Sequence, residues 1–207
     1  MKKIKNSILE KSRDLFNELG VANVSIRQIS RELGISHSNL IYHYKDKNAL
    51  IVGLHQQIFE SAIQINSAIV DVPPLKGIFI STIEGYKVLY NYRFFMLDLV
   101  WILRENETLH QTILGVEKER FRMYKEKIDE MIADGVLVAS NDLNDYTFLI
   151  EHVKVFSDTW LTIARIYEVN LEDSIKKYAK LFLFLFYPYL TPKGTDLFKA
   201  YLQEFDL

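Results

Sequence analysis

Residues 25–50 read SIRQISRELGISHSNLIYHYKDKNAL, and the fold is decided by where the caps, glycine and apolar residues fall in this stretch. Ser25 can accept from the backbone N–H of Gln28 while Gln28 reaches back, as in a capping box, so a helix is predicted to start there. Ile26, Ile29 and Leu33 form its inner face, and Gly34 stands where the chain must leave the helix with positive φ. Ser36 then serves as N-cap of a third short helix, His37 to about Tyr44, with Leu40 and Tyr44 four apart and facing inward. Asp46 caps a fourth. Two short helices joined by a tight turn containing glycine make a helix-turn-helix. About eight residues at 1.5 Å each span about 12 Å, near the width of the major groove of duplex DNA.

Outward from this stretch the chain reads as helices alone. Upstream, Ile4, Ile8, Ser12, Leu15, Phe16 and Leu19 recur at helical spacing from Lys3 to Leu19, and Gly20 supplies the stop. Downstream, one helix runs from Lys47 to Val70, before Asp71-Val72-Pro73-Pro74. A second carries Phe79, Ile83, Tyr86 and Tyr90, and a third spans about Arg93 to Arg104, both buried. The segment Thr108–Ala133 repeats Leu109, Ile113, Val116, Arg120, Tyr124, Ile128 and Met131 and ends near Gly135. Asn141 or Asp142 can cap a helix carrying Tyr146, Leu149, Val153, Phe156, Trp160, Ile163 and Tyr167. Two more are expected, from about Leu171 to Tyr187 and from Thr195 to Phe205. No strand pattern or internal repeat is present.

Composition agrees. Across 207 residues there are only 8 Gly and 4 Pro, too few for the turns of a sandwich or barrel. The absence of Cys excludes disulfides, thiolate zinc sites, iron–sulfur clusters and thiol nucleophiles. The five His contain no i, i+4 pair, and no Gly-rich phosphate loop or Gly-x-Ser-x-Gly elbow occurs, so neither a metal, a cofactor nor catalysis is signalled. The N-terminus carries no secretory signal. The longest apolar run, Leu181 to Leu190, is interrupted by Pro188 and falls short of the roughly 20 residues that cross a bilayer. A soluble, cytoplasmic protein without membrane contact is expected. The net charge of −2 divides unevenly, with residues 1–50 at +4 and the rest at −6, as in a polyanion-binding head on an acidic body.

Residues 25–50 resemble the TetR family of bacterial transcriptional regulators. The match rests on Ser25-Ile26-Arg27-Gln28-Ile29-Ser30, Leu33-Gly34-Ile35-Ser36, Leu40, His43-Tyr44, Lys47 and Leu50. It departs at one place: the family commonly has Tyr directly after the Leu of the recognition helix, where this chain has Ile41 followed by Tyr42. The resemblance implies an all-α protein, with a helix-turn-helix DNA-binding head over 1–46 and a larger helical ligand-binding and dimerisation domain over 47–207. It also implies a homodimer on a palindromic double-stranded DNA operator, released by a small-molecule effector that the aromatic body makes hydrophobic. The effector would swing the helix from Lys47 and alter the spacing of the two recognition helices. The alternatives are a helical ligand carrier or enzyme whose helix-turn-helix is only structural, or a DNA-binding protein without an effector.

On the third helix Ser38, Tyr42 and Lys45 recur opposite Leu40 and Tyr44, flanked by His37, Asn39 and His43, and all six are candidate DNA contacts. Arg27 is a candidate for guanine or phosphate, Ser25 for phosphate or capping alone, and Lys47, beside the Asp46 cap, for a phosphate. In the body Tyr90, Phe94, Trp101, Phe156 and Trp160 are candidate pocket walls, and His110 and His152 candidate orienting groups, against the plainer reading of core and helix-end residues. The helices Tyr146–Tyr167 and Ile175–Tyr187 are candidates for a four-helix dimer seam with their two-fold mates.

Overall fold

The computed structural model describes residues 2–141 and 146–207, and among these there are eleven α-helices and no strand. In chain order they are α1 (Lys2–Leu19), α2 (Ile26–Glu32), α3 (His37–His43), α4 (Lys47–Ala68), α5 (Pro74–Asn91) and α6 (Arg93–Leu97). There follow α7 (Leu99–Glu105), α8 (Glu107–Ala133), α9 (Thr147–Tyr167), α10 (Ser174–Leu183) and α11 (Pro192–Glu204). The helices gather into two compact units. The first holds Met1–Ala62 with Asn91–Thr112, the second Ile63–Tyr90 with Ile113–Leu207. This differs from a division at residue 46. The start of α4 belongs to the first unit because Leu50, Ile51 and Leu54 are buried there, and Gly53 lies close against Leu9 of α1 and the Tyr44 ring.

In the first unit Ile8 and Phe16 of α1, Val21, Val24, Ile29 of α2, Leu40 of α3 and Leu50 of α4 are almost wholly removed from water. Each such side chain contributes about 1.5–3 kcal/mol, which seven-residue helices require, since they are marginal alone. The N-cap side chains of Ser25, Ser36 and Asp46 accept as the sequence predicts, while no bond from the Gln28 side chain back to Ser25 completes the capping box. Gln28 N–H donates to Ser25 Oγ at 3.2 Å, Asn39 N–H to Ser36 Oγ at 3.1 Å and Ala49 N–H to Asp46 Oδ1 at 2.8 Å. Gly34 has φ +64, and around it Ile35 N–H donates to Ser30 O and Gly34 N–H to Arg31 O, the two bonds of a Schellman close.

In the second unit the core is aromatic: Phe79 meets Phe198, Tyr201 and Phe205, and Tyr86 meets Trp160 and Phe182. The chain after α8 is pinned to the chain before α11. Val138 N–H donates to Tyr189 O at 2.9 Å, Thr191 N–H to Val136 O at 3.0 Å, and Thr191 Oγ1 to Gly135 O at 2.7 Å.

Several expectations need correction. The helix expected over Arg93–Arg104 is two, broken at Asp98, whose carboxylate turns aside to accept Val21 N–H at 2.7 Å while its backbone leaves helical dihedrals. This stretch is also not uniformly buried, because Val100 and Trp101 are exposed. The last helix begins at Pro192, with Thr191 as N-cap accepting from Gly194 N–H; proline suits a first helical position because its missing N–H has no partner there. The helix before it is shorter than Leu171–Tyr187, and α9 begins after Tyr146, which has φ +64. Asn141 stands well before α9, and Asp142 lies outside the described residues. On α9 the stripe ending in Ile163 and Tyr167 drifts off the core, where Leu161 and Ala164 are buried instead. A strict seven-residue repeat slips by about 20° per heptad on a straight helix.

Candidate nucleic-acid interface

The outward side of α3 is polar and solvent-facing. His37, Ser38, Asn39 and Tyr42 are exposed together, with Tyr42 at 75%, and the one buried residue of the helix is Leu40; Lys45 is exposed too but is not on the helix as expected, because α3 ends at His43 and Tyr44 is extended. Seven residues span about 10 Å, so the helix fits a major groove lengthwise. Ser25 and Arg27 are exposed at the start of α2. Ser25 is already engaged as a cap, while the Arg27 guanidinium stands in solvent with five donors in a planar fork. His43 is half-buried, its ring edge-on to Tyr42 at 5.1 Å and its Nδ1 buried without a hydrogen-bond partner.

Lys47 is placed differently from the expectation. Its ammonium donates to the carbonyl of Val21 at 2.7 Å and lies 5.7 Å from the centre of the Trp101 ring, and burial pulls its pKa below the ordinary lysine value. The same face of the first unit carries contacts that the sequence did not reveal. The Asn17 amide bridges the break between α5 and α6, donating to Asn91 O at 2.8 Å and accepting from Phe94 N–H at 3.0 Å. Asn48 donates to Glu105 O at 3.2 Å.

Comparison with known proteins decides what this arrangement is. A model of bacterial regulatory proteins of the tetR family matches residues 8–54, and one described as a TetR bacterial transcriptional repressor matches residues 82–198. The chain belongs to the TetR family. It is similar to an HTH-type transcriptional regulator of Staphylococcus aureus (strain bovine RF122 / ET3-1), at 32% identity over 126 residues, which cover 59% of this chain and 62% of that protein. The chain thus spans less than two thirds of that relative. In fold it resembles a TetR-family regulator from Marinobacter aquaeolei VT8, with TM-score 0.85, 22% identity and 97% of each chain covered. It also resembles a regulator from Saccharomonospora viridis solved with choline, with TM-score 0.73, 14% identity and 92% and 100% covered. The two matching family models are described as those of bacterial regulatory proteins and transcriptional repressors. No helix among the described residues is long and apolar enough to cross a membrane.

Against the TetR pattern, Ile41 is only 37% exposed and Tyr42 is the aromatic side chain that stands free. The seven body candidates are divided between the two units. Phe94 is core of the first unit, Trp101 holds Lys47, and His110, also in the first unit, is partly exposed 3.9 Å from Glu107. Of those in the second unit, His152 is exposed, Tyr90 and Phe156 are half-buried, and Trp160 is 1% exposed. Trp160 stacks flat on Tyr86 at 4.5 Å. Both rings bury a polar atom without a hydrogen-bond partner, Tyr86 Oη and Trp160 Nε1; the Ser157 hydroxyl lies near the former without hydrogen-bond geometry. Arg120 joins Glu117 at 3.0 Å and Asp158 at 3.5 Å in the same unit, beside the half-buried Tyr124. The sequence reading did not foresee this ion-pair cluster, although an arginine within the apolar stripe of α8 was a visible signal.

Burial raises the pKa of the Tyr86 phenol far above the ordinary tyrosine range, so it is neutral at any working pH. An unsatisfied buried hydroxyl costs about 1–3 kcal/mol, and Tyr86→Phe should therefore stabilise the protein by about 1 kcal/mol. A urea midpoint that rises at constant slope is the expected result, and one that falls would mean that the hydroxyl has a partner in solution.

Proposed function

We propose that the protein is a repressor that binds a palindromic operator as a homodimer and leaves it when a small, largely apolar molecule occupies the second unit. The observation that carries this reading is the outward face of α3, where Ser38, Asn39 and Tyr42, with Lys45 just past the helix end, present donors, an acceptor and a phenol at groove dimensions while Leu40 fixes the helix from behind. Asn39 suits adenine, and Tyr42, Lys45, Arg27 and the remaining polar groups suit phosphates or base edges.

A dimer is supported by apolar side chains left in solvent on α9, and on and just after α10. Phe148, Val155 and Ile166 are exposed on α9 alongside Leu181, Phe184 and Tyr187, the kind of surface that two-fold pairing into four helices would cover. Two recognition helices about 34 Å apart then meet consecutive major grooves. For the effector, support comes from the Tyr86–Trp160 stack with its two unspent polar atoms, and from the choline held by the Saccharomonospora viridis neighbour. An effector that drives occupancy from 99:1 to 1:99 must prefer the released state by about 5.5 kcal/mol.

The test is selection from a random duplex pool followed by affinity measurement against salt. A palindrome with half-sites one helical turn apart, bound by a dimer with a log–log salt slope near −5, is expected for about six neutralised phosphates. A monomer with no preferred site would overturn the reading. On that site Asn39→Ala should lose about tenfold in affinity at one base pair and little elsewhere, as scored over a library of single-base variants. A uniform loss across the library would remove Asn39 from base recognition.

A further inference from the structure

Lys47 is the residue whose placement departs most from its expected work. Its ammonium has three donors, of which one is used by the Val21 carbonyl, and the Trp101 face covers it at 5.7 Å. Val21 is held at its other backbone group too, because its N–H is taken by Asp98 at 2.7 Å. The partners of this lysine thus come from two directions in the first unit: the turn after α1, and the Arg93–Glu105 segment that carries both Asp98 and Trp101. Lys47 itself opens α4 beneath the Asp46 cap, one residue beyond a group that holds Ala49 N–H, at the same end of the unit as the exposed Lys45.

We propose that Lys47 is a phosphate-binding residue held in reserve: the Val21 carbonyl and the Trp101 ring keep its ammonium in the free protein, and a DNA phosphate takes it from them on binding. The Arg93–Glu105 segment then competes with DNA for one positive charge. The exchange is physically even-handed. A cation over an exposed indole and one neutral carbonyl acceptor are modest partners, a phosphate is a charged one, and the partial burial that lowers the pKa of Lys47 favours its departure toward a charged acceptor. Any displacement of Trp101 shifts the balance toward the duplex. The sequence position of Lys47 alone says nothing of this, because its two competitors lie 26 residues before it and more than fifty after it.

The experiment is a two-residue cycle read by DNA binding, using a fluorescein-labelled duplex that carries a site selected from a random pool. Trp101→Leu is expected to bind about threefold to tenfold more tightly, the worth of a cation–π contact. In a Lys47→Met background the same change is expected to do nothing. Lys47→Met alone should make the salt slope shallower by about one per head. Trp101 is more than one third exposed, so Trp101→Leu leaves the core intact. Should Lys47→Met fail to fold, a Trp160→Phe protein decides, since Trp101 is then its only indole: its emission should change when duplex is added as the ammonium leaves the ring. An unaltered salt slope in Lys47→Met, an equal effect of Trp101→Leu with and without Lys47, or an emission unmoved by duplex would each overturn the proposal. Failure of the wild-type chain to bind any duplex would instead count against the DNA-binding reading itself.

Discussion

Gly194→Ala is expected to lower stability by about 3 kcal/mol or more, because among the glycines this is the one at which a Cβ would meet backbone closer than any real contact. A Cβ at this position would stand 2.1 Å from the carbonyl oxygen of Val136 and 3.1 Å from its carbonyl carbon, with Leu190 Cδ2 also at 3.1 Å. The clash is with backbone, which cannot swing aside as a side chain would, and overpacking of this kind costs about 1–3 kcal/mol even where the neighbours give way. Here they are held. Val136 O accepts from Thr191 N–H at 3.0 Å, and Thr191 Oγ1 spans Gly135 O at 2.7 Å and Gly194 N–H at 3.1 Å. Moving the chain far enough to admit the methyl group sacrifices this whole clasp and the cap of α11 with it. Urea unfolding followed by circular dichroism is the measurement, and a midpoint within experimental error of the wild type would show that the approach of α11 to Val136 is looser than described.

Leu40→Ala carries the second large expectation, and it concerns function. Leu40 is fully buried and is the only buried residue in α3. Leucine-to-alanine changes in cores cost about 2–5 kcal/mol, the transfer of the lost methyl groups plus the cavity left behind. A seven-residue helix has no propensity reserve with which to absorb that, so α3 should lose its fixed position while the second unit, whose core shares no residue with Leu40, stays folded. The protein should retain most of its helical signal, lose hydrogen-exchange protection first in α2 and α3, and lose specific duplex binding by a hundredfold or more, as about 3 kcal/mol implies. Retained affinity would mean that the duplex itself can order α3.

The head was legible because its information is local. Ser25, Gly34, Ser36 and Asp46 act within three or four residues of themselves, and each cap bond and the positive φ at Gly34 are where the sequence places them. What stayed hidden depends on partners far along the chain. Asp98 breaks a helix because it is needed by Val21, 77 residues away, and Asn17 reads as one more polar position until its amide is found across Asn91 and Phe94. Lys47 reads as a free cation for the same reason. Spacing along the helices does not show that the Trp101 ring, partly exposed, lies over a lysine or that Trp160 stacks on a tyrosine. The exposed end of the α9 stripe at Ile163 and Tyr167 was missed because a heptad and a straight helix diverge over three heptads.

The first unit is discontinuous in the chain, and this has a consequence for how the protein is made and rebuilt. Phe16 packs on Phe94 at 5.3 Å, Val21 waits for Asp98, and Asn17 waits for Asn91. As the polypeptide leaves the ribosome, the segment that will read DNA emerges early yet lacks half of its supports until residues 91–105 have followed it out. A chimera joined at residue 46 would inherit the reading helix and leave its scaffold behind; a grafted head needs both pieces of chain to arrive together.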